Sequence, residues 1–284
     1  MSTRPVPALS VPAPDAPLPT HVSVPDGTGP WPGVVVLHDA GGMTSDLVAQ
    51  TRWLADAGFL AAAPDLLGGG TIAGCLREIV RDYAAWQGAT FERIEAVRRY
   101  LAERGDCTGR VGVIGFCLGG GFALALAPGH GFAAASANYG PLPRDAERFF
   151  VGACPIIGSY GRRDRSLRHA AQRLHEALEA AGVEHDVKEY RDAGHGFMND
   201  HPPARSRSSS SFSEPASTLG TTSRARPTPV PASRPSSPTT SPDRPRDRMA
   251  SLGSWGPCAA LWCSGSLRTR CSTPLSTSRR GTRR

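Results

Sequence analysis

Four short motifs carry the residue types that could do covalent chemistry. The first is Gly115-Phe116-Cys117-Leu118-Gly119-Gly120-Gly121. It follows an apolar stretch, 111–115, and opens an Ala/Leu-rich one. That pattern reads as a sharp strand-to-helix turn with a thiol at its apex. Glycines on both sides relieve the crowding that such an elbow creates. The helix N-terminus beneath the sulfur favours a thiolate, and the N–H of Leu118 is positioned to stabilise an oxyanion. The plainer alternative is a Gly-rich turn holding a small buried cysteine. The second motif, Asp192-Ala193-Gly194-His195-Gly196-Phe197, follows the expected strand 184–190. A histidine in such a Gly-flanked loop can swing over the nucleophile as general base. His21, His130, His169, His175 and His185 lack this setting and read as surface histidines. The third motif, Gly161-Arg162-Arg163-Asp164-Arg165-Ser166, lies just past the Ile156-Ile157 run. Asp164 there can accept the imidazole N–H and fix its tautomer. It can equally cap a helix starting near Ser166. The fourth, His38-Asp39-Ala40-Gly41-Gly42, follows the first long apolar run. It is a plain Gly turn or the source of a second oxyanion donor, the Ala40 N–H.

These motifs need a scaffold, and the chain supplies a regular one. Apolar runs at 33–38, 59–63, 111–115, 133–139, 155–158 and 184–190 read as buried strands. Between them, 45–57, 91–104, 118–127 and 166–181 read as helices; in the last, Leu167, Ala171, Leu174 and Leu178 fall on one face. Strands alternating with helices imply a mostly parallel sheet covered on both faces, with the active site beyond the carboxyl ends of the strands. The order nucleophile, acid, base along the chain is that of the α/β-hydrolase fold. We therefore expect a Pro-rich lead-in over 1–19, an α/β-hydrolase domain over 20–201, and a separate low-complexity tail over 202–284.

Composition narrows the function classes. The formal charge is +7 over 284 residues, which would suggest a nucleic-acid partner if evenly spread. It is not: residues 202–284 carry 14 Arg against Glu214, Asp243 and Asp247, leaving the first 201 residues mildly acidic. No nucleic-acid role is expected for the domain. Cys75, Cys107, Cys117 and Cys154 are scattered, without a C-x-x-C pair or a His at ligand spacing. That argues against a zinc site and against a secreted disulfide framework. The first 20 residues contain no apolar run of seven, so neither a signal peptide nor a membrane span is expected, and the location expected is cytoplasmic. Nothing in the sequence fixes the oligomeric state.

The elbow around Cys117, the segment Ala63-Pro64-Asp65-Leu66 and the closing Ala193-Gly194-His195-Gly196-Phe197 together resemble the dienelactone hydrolase family over roughly residues 20–200. The resemblance implies a Cys-His-Asp hydrolase of small-molecule esters or lactones, free of metal and cofactor, with no membrane partner. It also implies an acid after the first strand that poises the thiol; Asp39 stands at that position, shorter than the usual Glu. Members that cleave dienelactone hold the substrate carboxylate with arginines. The matching positions here are Asn199, four residues after His195, and Ile79, in a helix near the aromatic pair Tyr83 and Trp86. Tyr83, Trp86 and Phe197 are candidate pocket residues. The implied family chemistry transfers; the dienelactone substrate does not. Other possible outcomes are a binding protein on the same fold and an inactive product of a frameshifted gene.

The tail invites the frameshift reading. The only lysine of the chain is Lys188, and Ala, Gly, Pro and Arg abound, as in a GC-rich coding sequence. If the frame slipped after His201, each TCN serine codon would hide an apolar residue. Ser233, Ser236, Ser237 and Ser241 would then mark apolar positions at helical spacing, as in a final helix following the catalytic His. A basic disordered tail is the alternative.

Overall fold

The computed structural model describes residues 9–68, 72–143 and 145–200; the tail discussed above lies outside them. Eight strands form one sheet: β1 (Leu9–Val11), β2 (Leu18–Ser23), β3 (Trp31–Leu37), β4 (Leu60–Pro64), β5 (Cys107–Phe116), β6 (Ala135–Asn138), β7 (Ile156–Gly161) and β8 (His185–Tyr190). Their spatial order is β1-β2-β4-β3-β5-β6-β7-β8. From β4 to β8 every pairing is parallel, while β1 and β2 join antiparallel at one edge. Among the described residues, six helices connect the strands: α1 (Ser45–Asp56), α2 (Ile72–Ala85), α3 (Ala89–Ala102), α4 (Leu118–Leu126), α5 (Ala146–Phe149) and α6 (Ala170–Ala180).

The apolar runs form central strands because alternate side chains serve two cores. On one face Val35, Leu37, Ala62, Val111, Val113, Ala135 and Ile156 meet α3, α4 and α6 through Ile94, Val97, Phe122, Leu126, Leu174 and Leu178. On the other, Val34, Val36, Ala61, Ala63, Ile114 and Phe116 meet Leu47 and Leu54 of α1, together with Met198. A sheet buried on both sides leaves its open ends as the place for chemistry. α1 starts where the Thr44 side chain accepts the Leu47 N–H at 3.2 Å, an ordinary N-cap.

Several elements differ from the sequence reading, the short helix α5 among them. Neither β1 nor β2 was among the expected strands: Leu9–Val11, inside the expected lead-in, pairs with Leu18–Thr20 of β2 through Leu9↔Thr20 and Val11↔Leu18. Helix α2 occupies 72–85, a stretch not among the expected helices. Helix α6 starts at Ala170 rather than Ser166 because His169, at φ +60°, breaks the helical path just before it. Among the described residues, no helix is long and apolar enough to cross a membrane.

Candidate active site

β5 ends at Phe116 and α4 begins at Leu118, so Cys117 stands alone between them at φ +53°, ψ −118°. A non-glycine residue there is strained, and the surroundings must hold it. They do so through the Cys117 N–H, which donates to Asn138 O at 3.0 Å, and the Cys117 carbonyl, which accepts from Gly121 N at 3.1 Å. The glycines make room. A Cβ on Gly115 would sit 2.0 Å from Gly119 O, one on Gly119 2.6 Å from the Leu37 and His38 carbonyls, and one on Gly120 2.8 Å from Asn138 O. Close backbone approach, rather than unusual φ, dictates these three positions.

His195 reaches the elbow from the loop after β8. Its Nε2 lies 3.1 Å from Cys117 Sγ, and its Nδ1 lies 2.6 Å from Asp164 Oδ2. Asp164 sits just past β7 and is 4% exposed. Its other oxygen, Oδ1, accepts from Ser166 N at 2.9 Å and from the Ser166 hydroxyl. The two sequence readings of Asp164, turn cap and imidazole partner, thus coexist on its two oxygens. Burial opposes ionisation of Asp164. The Ser166 hydroxyl, the His195 ring and the Ser166 N–H outweigh it and hold the carboxyl below its usual range. An ionised Asp164 accepts only, so Nδ1 of His195 carries a proton. His195 is pushed up to about 9, first by its hydrogen bond to Cys117, then, against partial burial, by Asp164 and the charges of both partners.

The His195 loop is fastened by α1 and by Tyr139, just past β6, which sequence reasoning did not connect with it. Gln50 Nε2 donates to Met198 O at 3.0 Å. Asp46 takes Asn199 Nδ2 at 2.7 Å and Asp200 N at 3.1 Å on its two oxygens. The buried Tyr139 hydroxyl donates to Asn199 Oδ1, and the Tyr139 ring stands edge-on to His195 and Phe197 at 5.3 and 5.4 Å. The position at which the family resemblance suggested an arginine is therefore occupied by an amide that links Tyr139 to Asp46.

The remaining expected site residues are distributed as follows. In the turn after β3, Asp39 Oδ1 accepts Gly41 N at 2.7 Å and Asp39 O accepts Gly42 N at 3.2 Å, which shapes the loop carrying Ala40. His38 braces it from below: Nδ1 donates to Asp39 O at 2.6 Å and Nε2 accepts Leu66 N at 3.1 Å. Burial pushes His38 down, keeping it neutral. Asp39, Ala40, Leu67, Ile79 and Leu118 border one small cavity, so the two expected oxyanion donors flank a common space. Leu118 is the first residue of α4, where helix geometry leaves an N–H without an intrahelical partner. The three candidate pocket aromatics do not converge. Tyr83 donates to Pro141 O at 2.7 Å and packs on Trp86 and Phe122 at 4.9 and 5.4 Å, behind Gly121. Phe197 packs with Tyr139 and Tyr190 on the opposite face of the sheet.

Comparison with known proteins agrees with this architecture. A carboxymethylenebutenolidase of Pseudomonas putida is 27% identical over 178 residues, covering 59% of this chain and 75% of its own. The carboxymethylenebutenolidase of Rhodococcus opacus is 27% identical over 215 residues, covering 64% and 82%. The crystal structure of a dienelactone hydrolase-like promiscuous phosphotriesterase from metagenomic libraries superposes with a TM-score of 0.57 at 25% identity, covering 67% of this chain and 84% of that one. The model of the dienelactone hydrolase family matches residues 18–221, a span that runs past the boundary expected at 201. Fold, motif order and matched span lead to one assignment: the chain belongs to the dienelactone hydrolase family.

Proposed function

We propose that this protein hydrolyses small carboxylic esters or lactones through a thioester on Cys117. The observation that carries the reading is the unbroken relay from Cys117 Sγ through His195 to Asp164, at 3.1 and 2.6 Å. His195, which holds a proton up to about 9, is the proton donor for the leaving group, and Cys117 attacks as the thiolate, the nucleophilic form of a cysteine. The thiolate attacks the carbonyl carbon, and the Leu118 and Ala40 N–H groups receive the oxyanion. As the tetrahedral intermediate collapses, the C–O bond breaks and His195 Nε2 gives its proton to the leaving alkoxide. Acylated sulfur no longer favours the imidazolium, because the largest cause of the raised His195 value has gone. The neutral ring then takes a proton from water, which attacks the thioester and releases the acid. Asp164 orients the ring throughout.

The same residues bear on the substrate. Ile79 is buried at the border of the cavity beside Ala40 and Leu118, and Asn199 is occupied by Tyr139 and Asp46. Neither offers a charge to a second carboxylate, so the preferred acyl group is uncharged. The test compares parent and Cys117→Ala on a neutral activated ester and on its carboxylate-bearing analogue. Parent should prefer the neutral ester and Cys117→Ala should lose more than about 100-fold in kcat, as expected when a covalent nucleophile is removed. Retention of more than about a tenth of the rate by Cys117→Ala would refute the nucleophile assignment.

A further inference from the structure

Away from this site, α6 and β8 bring together a second group of potential ligands. His175 and Glu179 lie one turn apart on α6, and His185 opens β8. One nitrogen of each imidazole and one carboxylate oxygen all lie within 4.8 Å of one another. We propose that His175, Glu179 and His185 bind a divalent transition-metal ion of the zinc class, with solvent completing the coordination. The sequence reading expected no metal, from cysteines without a partner at ligand spacing and from the family resemblance.

Two independent features support the site. The first is a preset tautomer. His185 Nδ1 lies 2.7 Å from the Val183 carbonyl, which can only accept, so Nδ1 carries the proton and the lone pair of Nε2 is free to bind. Metal-binding histidines are commonly oriented in this way, by a backbone carbonyl on the far ring nitrogen. That lone pair points at His175 Nδ1, 2.9 Å away. In the metal-free protein, His175 supplies the proton between them; an ion would take that proton's place. A tetrahedral zinc with bonds of about 2.0–2.1 Å separates two nitrogens by about 3.3 Å. The rings need to part by only a few tenths of an ångström, and His175 is exposed enough to move.

The second feature is a rigid mount. At the end of α6, Gly182 N donates to Glu179 O at 3.0 Å and Val183 N to Leu178 O at 2.9 Å, with Gly182 at φ +66°. This is a Schellman cap, and Leu178 and Val183 are both buried behind it. The turn fixes the return of the chain, so His185 comes back beside the last turn of α6 with little backbone freedom. Two imidazoles and one carboxylate suit zinc and its neighbours and are a poor set for magnesium, which prefers oxygen. His185 pairs with Ile156 at the amino end of β7. Cys117 follows the carboxyl end of β5, so the metal site stands at the opposite end of the parallel strands and is independent of the hydrolytic reading.

The experiment is equilibrium dialysis of the full-length chain against Zn2+ and, separately, Mg2+. Parent is compared with His185→Ala, Glu179→Gln and, as a neighbouring control, Gln172→Ala. Parent and Gln172→Ala should each retain one more Zn2+ per chain than His185→Ala. Glu179→Gln should bind at least about tenfold more weakly, because even outer-shell changes cost that much. Zn2+ should raise the Tm of the parent and leave that of His185→Ala unmoved. Far-UV circular dichroism and unchanged ester hydrolysis show that each variant is folded. Equal Zn2+ uptake by parent and His185→Ala would overturn the proposal, as would Mg2+ binding with the same affinity as Zn2+.

Discussion

Replacing Asp164 by Asn separates its two duties. The side chain is isosteric, and an Asn Oδ1 can still accept from Ser166 N and Oγ, which Asp164 Oδ1 does now. What changes is the atom facing His195 Nδ1, now 2.6 Å from a carboxylate oxygen. An NH2 group there cannot accept, so the stable arrangement places the His195 proton on Nε2 and leaves Nδ1 as acceptor. A lost hydrogen bond to a charged group is worth about 1.5–3 kcal/mol, or about 10- to 150-fold in rate. Holding the wrong tautomer raises the cost toward the roughly 10⁴-fold seen when the analogous acid of a serine triad becomes an amide. We expect kcat to fall by about 10² to 10⁴, with the melting temperature nearly unchanged. Stopped-flow alkylation by iodoacetamide gives a second readout, since a wrongly set imidazole should activate the Cys117 sulfur less. Asp164→Ala, by contrast, should also lower the Tm, because the Ser166 turn loses its cap. If Asp164→Asn lost less than about tenfold in kcat, or lost Tm as much as Asp164→Ala, the orienting role would be wrong.

Further expectations follow from the same geometry. His195, raised to about 9, keeps its proton through neutral pH and gives it up as pH climbs through that value; kcat/KM for the neutral ester should therefore decline above about pH 9, and a profile still rising at pH 10 would contradict a protonated His195 as the proton donor. Asp46→Ala removes the acceptor for the half-buried Asn199 amide and for the N–H of the exposed Asp200, two hydrogen bonds worth about 0.5–1.5 kcal/mol each; thermal melts should show a modest loss, and kcat should drop while alkylation of Cys117 stays fast. Gly119→Ala forces a methyl to within 2.6 Å of two carbonyls, so soluble expression or activity should collapse; wild-type levels would show that the elbow has slack the structure does not reveal.

The central sheet and the relay were readable because both are local signals. Val34, Val35 and Val36 announce a doubly buried strand, and Cys117, Asp164 and His195 each sit in a Gly-marked turn at a strand end. Other parts were hidden for identifiable reasons. The edge strand β1 is three residues long, too short to show a period, and β2 contains Pro19 and His21. The start of α6 was hidden because Leu167 falls on the same periodic face as Leu174 and Leu178, while the left-handed His169, which breaks the helical path, carries no sequence signal. Asp46, Gln50 and Asn199 carry no motif; their meaning lies in contacts across the whole domain. Tyr83, Trp86 and Phe197 share aromatic character but lie on opposite faces of the sheet, and composition cannot see which face a side chain takes.

The ties between α1 and the His195 loop bear on the order in which the protein becomes competent. The elbow closes through contacts at short separation, such as Gly121 N to Cys117 O and Cys117 N to Asn138 O, 4 and 21 residues apart, and packs on the β3 end. The histidine is held by bonds spanning 148 to 154 residues. Contacts of such long separation form late, because the entropy of closing the intervening chain must be met first. On refolding, helical signal should therefore return before ester hydrolysis does. A nascent or partly unfolded chain would present a thiol at a helix end with no imidazole to discipline it, open to oxidants while still unable to turn over substrate.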